Sequence, residues 1–166
     1  IDYVTTTPGT EIQNVNDAPT ITSTAVESAT EDSAYSYTFT ASDVDGGDTM
    51  TLSCPVKPAW LSFVDATGVL SGTPLNADVG TTGNTVTLKA TDAAGAEVEQ
   101  SFTIDVTNTN DVPTIDSVAV TSATEDSAYS YTLQASDVDG GDSMAFSCTV
   151  KPAWLSFVDA TGVLSG

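Results

Sequence analysis

Residues 41–48 read Ala-Ser-Asp-Val-Asp-Gly-Gly-Asp, and the same eight residues return at 135–142. Three carboxylates within six positions, with two glycines and no basic residue nearby, suit a hard cation better than a protein core. In an extended segment, side chains two apart point to the same side, so Asp43 and Asp45 can converge on one ion. Gly46 and Gly47 permit backbone conformations closed to other residues and let the chain turn Asp48 inward. Asp137, Asp139 and Asp142 repeat the arrangement. Calcium takes six to eight oxygen ligands, and this loop offers oxygen and nothing softer. The alternative is a solvated Asp-Gly turn between strands. Recurrence at fixed spacing, with a second acidic cluster recurring beside it, favours calcium.

The remaining composition removes other chemistries. The chain has 23 acidic residues against three lysines (Lys57, Lys89, Lys151), no histidine, and a formal net charge of −20. Such a charge repels nucleic acid and anionic membranes, so neither is an expected partner. Without histidine there is no His-based triad and no zinc cluster of familiar spacing. An EF-hand counted from Asp43 would need an acidic or amide ligand, a glycine and a glutamate at its fifth, sixth and twelfth places. Those places hold Gly47, Asp48 and Cys54. An enzyme is not expected. No apolar run approaches the roughly 20 residues needed to cross a bilayer, so membrane insertion of this segment is not expected either.

The elements that would hold these loops are all β. Tyr35, Tyr37, Phe39 and Ala41 alternate with small polar residues, as do Met50, Leu52 and Cys54. Pro55 and Pro58 are expected to interrupt that ladder before Trp60-Leu61-Ser62-Phe63, whose rings would plug one end of a core. A short strand at Val69-Leu70, a long loop over residues 75–84, and alternations at Val86-Leu88-Ala90 and Phe102-Ile104-Val106 complete the set. About seven short strands without helical periodicity predict a Greek-key β-sandwich. Cys54 and Cys148 recur at one place in two copies and are read as small core hydrophobes, not as a disulfide.

Residues 16–72 align without a gap onto 110–166 at an offset of 94, with ten differences. A period of that size suits one autonomous sandwich and is too long for a solenoid turn. We therefore expect a tandem array: 1–15 as the tail of a preceding repeat and linker, 16–109 as a complete repeat, and 110–166 as the first part of another. The chain opens at Ile1-Asp2-Tyr3 and reads as an interior segment of something longer. The last 37 residues of the second repeat have no counterpart, and two strands of its core with them. The expectation is that the natural polypeptide continues through more repeats, with strand donation by a neighbouring molecule as the alternative.

The ordered signposts resemble the cadherin superfamily, and within it the bacterial dystroglycan-type cadherin-like or putative-Ig repeats. Ala29-Thr30-Glu31-Asp32 stands where cadherins place an early calcium-binding glutamate. Ala41-Ser42-Asp43-Val44-Asp45-Gly46 is similar to their Ala-Thr-Asp-x-Asp-x-Gly, and Lys89-Ala90-Thr91-Asp92 to their later Ala-Thr-Asp. Asn108-Thr109-Asn110-Asp111-Val112-Pro113 resembles the Asp-x-Asn-Asp-Asn-x-Pro linker. Pro58-Ala59-Trp60-Leu61-Ser62-Phe63 with Thr67-Gly68-Val69-Leu70-Ser71-Gly72-Thr73-Pro74 carries the dystroglycan-type signature.

This resemblance implies calcium sites shared between neighbouring repeats. At one junction Glu31, Asp78, Asn108, Asn110 and Asp111 would come from the first repeat or linker, and Asp137 and Asp139 from the second. At the upstream junction Asn14, Asn16 and Asp17 would meet Asp43, Asp45 and Asp92. Asn76-Ala77-Asp78 stands where cadherins have Asp-Arg-Glu, Asn108 replaces an aspartate, and Val112 replaces the second asparagine of the linker. Those departures imply one or two ions per junction instead of three. For Asn14 or Asn108 taken alone, an ordinary turn cap is the favoured reading. The implied role is a calcium-rigidified spacer in a large secreted bacterial adhesin or cell-surface fibre, with neighbouring repeats as partners. The alternative is a carbohydrate-binding accessory module of an extracellular polysaccharide-active protein, recognising cell-surface carbohydrate. Near-identity of the repeats favours the spacer, since repeats serving only as length can be duplicated freely. Most aromatics also lie on alternating core faces and leave only Tyr3, Tyr35 or Tyr37 as carbohydrate platforms.

Overall fold

The computed structural model describes residues 15–45, 47 and 49–166. The chain divides into two compact units, Ile1–Thr109 and Asn110–Gly166. In chain order the first carries β1 (Thr20–Ile21), β2 (Ser28–Thr30), β3 (Tyr35–Thr38), β4 (Ala41–Ser42), β5 (Thr51–Val56), β6 (Leu61–Val64) and β7 (Val69–Gly72). A 3-10 turn (Asn76–Asp78), β8 (Thr85–Thr91), β9 (Glu97–Thr103) and β10 (Asp105–Thr107) follow.

These strands form a two-layer β-sandwich. One layer is the antiparallel sheet β3-β7-β6, and the other is β5-β8-β9. Beyond a one-residue break at Ile104, β10 continues β9 and pairs in parallel with β2, while β1 pairs with β4. The chain crosses between layers from β3 to β5, back from β5 to β6 and again from β7 to β8, which is Greek-key connectivity. Alternation fixes what faces inward: Tyr35 and Tyr37 of β3 are buried while Ser36 and Thr38 are exposed. Phe39, Leu61, Leu70, Val86, Leu88 and Ile104 close the space between the layers at 0–1% exposure. Burying such side chains contributes about 1.5–3 kcal/mol each.

Several elements differ from the sequence expectation. The run from Tyr35 to Ala41 splits into β3 and β4, because the Phe39 amide turns to the Gly68 carbonyl (2.8 Å) and the Thr40 carbonyl accepts from Thr22 (2.9 Å). Pro55 does not end its strand. β5 runs on to Val56 and absorbs the proline through a register shift between Ser53 and Val56, since proline lacks the N–H a regular ladder needs. Cys54 and Cys148 are free and half-buried, each Sγ donating to a carbonyl two residues on. Burial pushes the Cys54 thiol up. The loop over residues 75–84 contains the 3-10 turn and a bridge between Gly80 and Val106.

The second unit carries β11 (Thr114–Ile115), β12 (Ser130–Thr132), β13 (Ala135–Ser136), β14 (Ser156–Val158) and β15 (Val163–Ser165). Its sheet β12-β15-β14 keeps the register of β3-β7-β6 shifted by 94, as in Ser130↔Ser165 against Ser36↔Ser71. Likewise β11 pairs with β13 as β1 does with β4. No helix among the described residues is long and apolar enough to cross a membrane.

Candidate metal centre

The loop after β4 and the turn after β8 meet the entering chain at one end of the first unit. Asp45 donates its amide to Asp43 Oδ1 (2.8 Å), an Asx-type closure of the loop. Asp17 donates its amide to Asp45 Oδ2 (2.8 Å), and Asn16 Nδ2 donates to Asp92 Oδ2 (2.8 Å). The second oxygen of Asp92 accepts from the Ala96 amide (2.8 Å), closing the turn between β8 and β9. Asn16, Asp17, Asp43, Asp45 and Asp92 are thus brought together by strands that register independently. Asp45 and Asp92 are only 7% and 6% exposed. Gly47 takes φ +96°, the left-handed conformation that the turn requires.

Hydrogen bonding accounts for the charge on Asp92: the Asn16 amide, opposed by burial and aided by the backbone amides of the turn, holds its carboxyl below the usual range. The cage as a whole has no cationic side chain. Lys89 pairs with Glu97 (3.0 Å) along β8 and β9. Lys57 and Lys151 donate to the carbonyls of Leu61 and Leu155 (2.7 and 2.8 Å). All three lysines of the chain are therefore engaged elsewhere.

One atom tests whether a cation fits here. Asp43 Oδ2 is buried and has no hydrogen-bond partner among the described residues. A buried carboxylate oxygen without donor or countercharge is costly. A hard divalent ion would satisfy it, and every donor around it is oxygen. The chemistry of the set fits calcium.

The second unit repeats the core of this arrangement. Asp139 donates its amide to Asp137 Oδ1 (2.9 Å), and Asp111 donates its amide to Asp139 Oδ2 (2.6 Å). Asn110 Nδ2 bonds the Asp111 carbonyl (2.6 Å). Carboxylate oxygens of Asp137, Asp139 and Asp142 lie within 4.8 Å of one another. Gly141, at φ +108°, supplies the turn that brings Asp142 back.

The other expected ligands lie at the opposite end of the first unit. There the buried Glu31 accepts from the Thr109 amide (3.1 Å) through Oε2, and its own amide bonds the Thr107 carbonyl (2.9 Å). Asp78 Oδ2 accepts from the Leu75 amide (2.9 Å) and so closes its own 3-10 turn. Asn108 is exposed on the segment that follows β10. Glu31, Asp78 and Asn108 belong to the first unit and Asp137 and Asp139 to the second, and each set is ordered within its own unit. Asn14 and Asp48 lie outside the described residues.

Sequence reasoning missed Asn84. It is 1% exposed, donates to the carbonyls of Asp78 (2.7 Å) and Gly80 (2.9 Å), and accepts from Trp60 Nε1 (2.9 Å). It fixes the loop bearing Asp78. Its one sequence signal is a polar amide directly before an alternating apolar strand.

Among solved structures, the SrpA adhesin from Streptococcus sanguinis matches at 20% identity over 61% of this chain and 65% of its own, with a TM-score of 0.42. The human desmocollin-1 ectodomain matches at 14% identity over 92% of this chain and 31% of its own, with a TM-score of 0.48. Drosophila N-cadherin EC1-4 matches at 12% identity over 92% and 42%, with a TM-score of 0.42. The chain thus spans from 31% to 65% of the length of these structures. No protein of curated function matches it. A family model described as the putative Ig domain matches twice, over residues 18–107 and 112–166, once in each unit. The chain belongs to the putative Ig domain family, with a copy of the domain in each unit.

Proposed function

We propose that this chain is a calcium-stiffened spacer from a secreted bacterial adhesin or cell-surface fibre, in which each repeat of 94 residues carries a carboxylate cage beside its linker. The observation that carries this reading is Asp43 Oδ2, a buried carboxylate oxygen without a hydrogen-bond partner among the described residues, in a cage from which every lysine is held away. Asp43, Asp45, Asp17 and Asp92 would hold the ion, and Asn16 would orient Asp92. Asp137, Asp139 and Asp111 would do the same in the second unit. Bound calcium would supply positive charge that offsets carboxylate repulsion and locks the entering linker to the loop. The partners are neighbouring repeats, and the setting is extracellular, where millimolar calcium suits modules of ~10⁻⁴–10⁻³ M affinity.

A carbohydrate platform has less support. Tyr35 and Tyr37 are 5% exposed, and Trp60 packs edge-on against Tyr35.

Thermal unfolding with calcium and with excess chelator tests the proposal. Calcium at a hundredfold over its dissociation constant stabilises by about 2.7 kcal/mol, so chelation should lower the melting temperature by several degrees. Identical melting in both conditions would contradict it.

A further inference from the structure

The chain enters and leaves the first unit at opposite ends. Entry is at the cage, where Asn16 bonds Asp92 and Asp17 bonds Asp45. β9 runs away from the Asp92 turn, β10 continues it, and the chain exits past Thr107 beside Glu31. Between entry and exit, β2 and β10 lie side by side, with Ser28, Ala29 and Thr30 opposite Asp105, Val106 and Thr107. This pair is parallel. Every other strand pair of the unit is antiparallel among the described residues.

Parallel pairing decides how a pull is resisted. Tension on the chain draws β2 back by its N-terminal end and β10 forward by its C-terminal end. The two forces oppose each other along the strand axis, so the bonds between the strands must give way as a set. An antiparallel pair under the same load would peel one bond at a time. The bonds here also run past both ends of a pair three residues long. The Asp105 amide donates to the Glu27 carbonyl and the Glu31 amide to the Thr107 carbonyl (both 2.9 Å). Thr107 Oγ1 donates to the Ala29 carbonyl (3.1 Å). Thr109 then latches the exit, its amide donating to Glu31 Oε2 (3.1 Å) and its hydroxyl to the Glu31 carbonyl (3.2 Å). Glu31 is 1% exposed, which shields the latch from competing water. On its other edge β10 is tied to Gly80 through the Val106 amide and carbonyl (3.0 and 2.8 Å). β10 is therefore fixed to the body of the unit, and β2 is the strand that must slide.

We infer that the first unit bears tension along the chain, and that the β2–β10 pair with its Glu31–Thr109 latch sets the force at which the unit opens. This function goes beyond a spacer's length and asks nothing of calcium, because no bond of the latch involves the Asp43 cage.

Single-molecule stretching of the full 166-residue chain in excess chelator tests it, with Cys54→Ala and Cys148→Ala in every arm. With handles at the two chain ends, opening of the first unit should release the roughly 75 residues between β2 and β10, about 25 nm, more than residues 110–166 can yield. Moving the second handle to Ala94→Cys, in the exposed turn before β9, loads β2 and β9 from the same end. The lifetime under constant tension, which reads the unfolding rate, should then fall about tenfold or more. With end handles, Thr107→Val plus Thr109→Val removes two hydroxyl bonds at exposed positions and should shorten the lifetime about tenfold. Thr87→Val removes the Thr87–Ser101 hydroxyl pair (2.9 Å) between β8 and β9 and should leave it unchanged. Equal lifetimes in the two pulling geometries, no response to the double valine variant, or an equal loss in Thr87→Val would overturn the inference.

Discussion

Trp60 and Trp154 occupy one position in two copies of nearly the same sequence. Each ring stands edge-on to a tyrosine at 5.7 Å, with interplanar angles of 83° and 82°. The lysine three residues before each ring donates to the same following carbonyl. Yet Trp154 is 54% exposed, while Trp60 is half-buried and its indole N–H is held by Asn84. Local geometry is set by the shared segment, and burial is supplied by residues 73–107. β5 makes the same point. Thr51–Val56 is a strand because β8 pairs with it, and the matching residues 145–150, with three in six identical, form none. Strand propensity alone did not produce that element.

The comparison can be broken most sharply in the core. Leu70 is fully buried and Leu164 is not. Leu70→Ala should cost about 2–5 kcal/mol and Leu164→Ala about 1, read by urea unfolding with Trp154→Phe or Trp60→Phe isolating each reporter. Equal costs would mean that the two units share one level of packing.

Gly68 and Gly162 come next. Both sit at φ +68°, and a Cβ at Gly68 would collide with the Phe39 carbonyl. Gly68→Ala should cost about 2 kcal/mol by the same assay. Gly162→Ala should cost less, because its neighbours in the open unit can give way.

The cage offers a sign reversal. In calcium, Asp43→Asn should lower the melting temperature by several degrees, since it removes half the charge of a pair of ligands. In chelator it should leave melting unchanged or raise it, since it relieves repulsion among buried carboxylates. Loss of stability in both conditions would make Asp43 a purely structural turn residue.

The smallest effect is alkaline. Burial, with the nearby Tyr37 a lesser cause, pushes Tyr35 from 10.0 up to about 12, and its hydroxyl donates to the Val26 carbonyl (2.7 Å). The folded state thus holds this proton more tightly than the unfolded chain. Its contribution is complete below pH 10 and is lost as pH rises toward 12. Tyr35→Phe should flatten the fall in stability across that window.

How much of this was legible in the sequence follows the same division. The inward residues Tyr35, Tyr37, Val86, Leu88 and Ala90 were readable from period-two alternation, and the sandwich followed from them. β2 was not, because Ser28-Ala29-Thr30 has no apolar rhythm and exists through parallel pairing with β10. The passage of β5 through Pro55 was hidden as well, since a register shift depends on the partner strand. In the cage, Asp43 and Asp45 announced themselves by spacing. Placing Asp92 beside Asn16, 76 residues away, needed the family resemblance, because nothing local links them. Asn84 stayed silent because a buried amide and a turn asparagine look alike in a sequence.

The central claim is that the Asp43–Asp45 loop and its copy bind calcium through side chains already gathered within each unit. Titrating calcium while following backbone amide resonances tests it most directly. The amides of Asp17 and Asp45, bonded to the cage carboxylates of the first unit, and those of Asp111 and Asp139 in the second, should shift and saturate by about millimolar calcium. Amides along β7 and β8 should stay fixed. A uniform drift across the chain, or no change at these four amides up to tens of millimolar, would contradict the account.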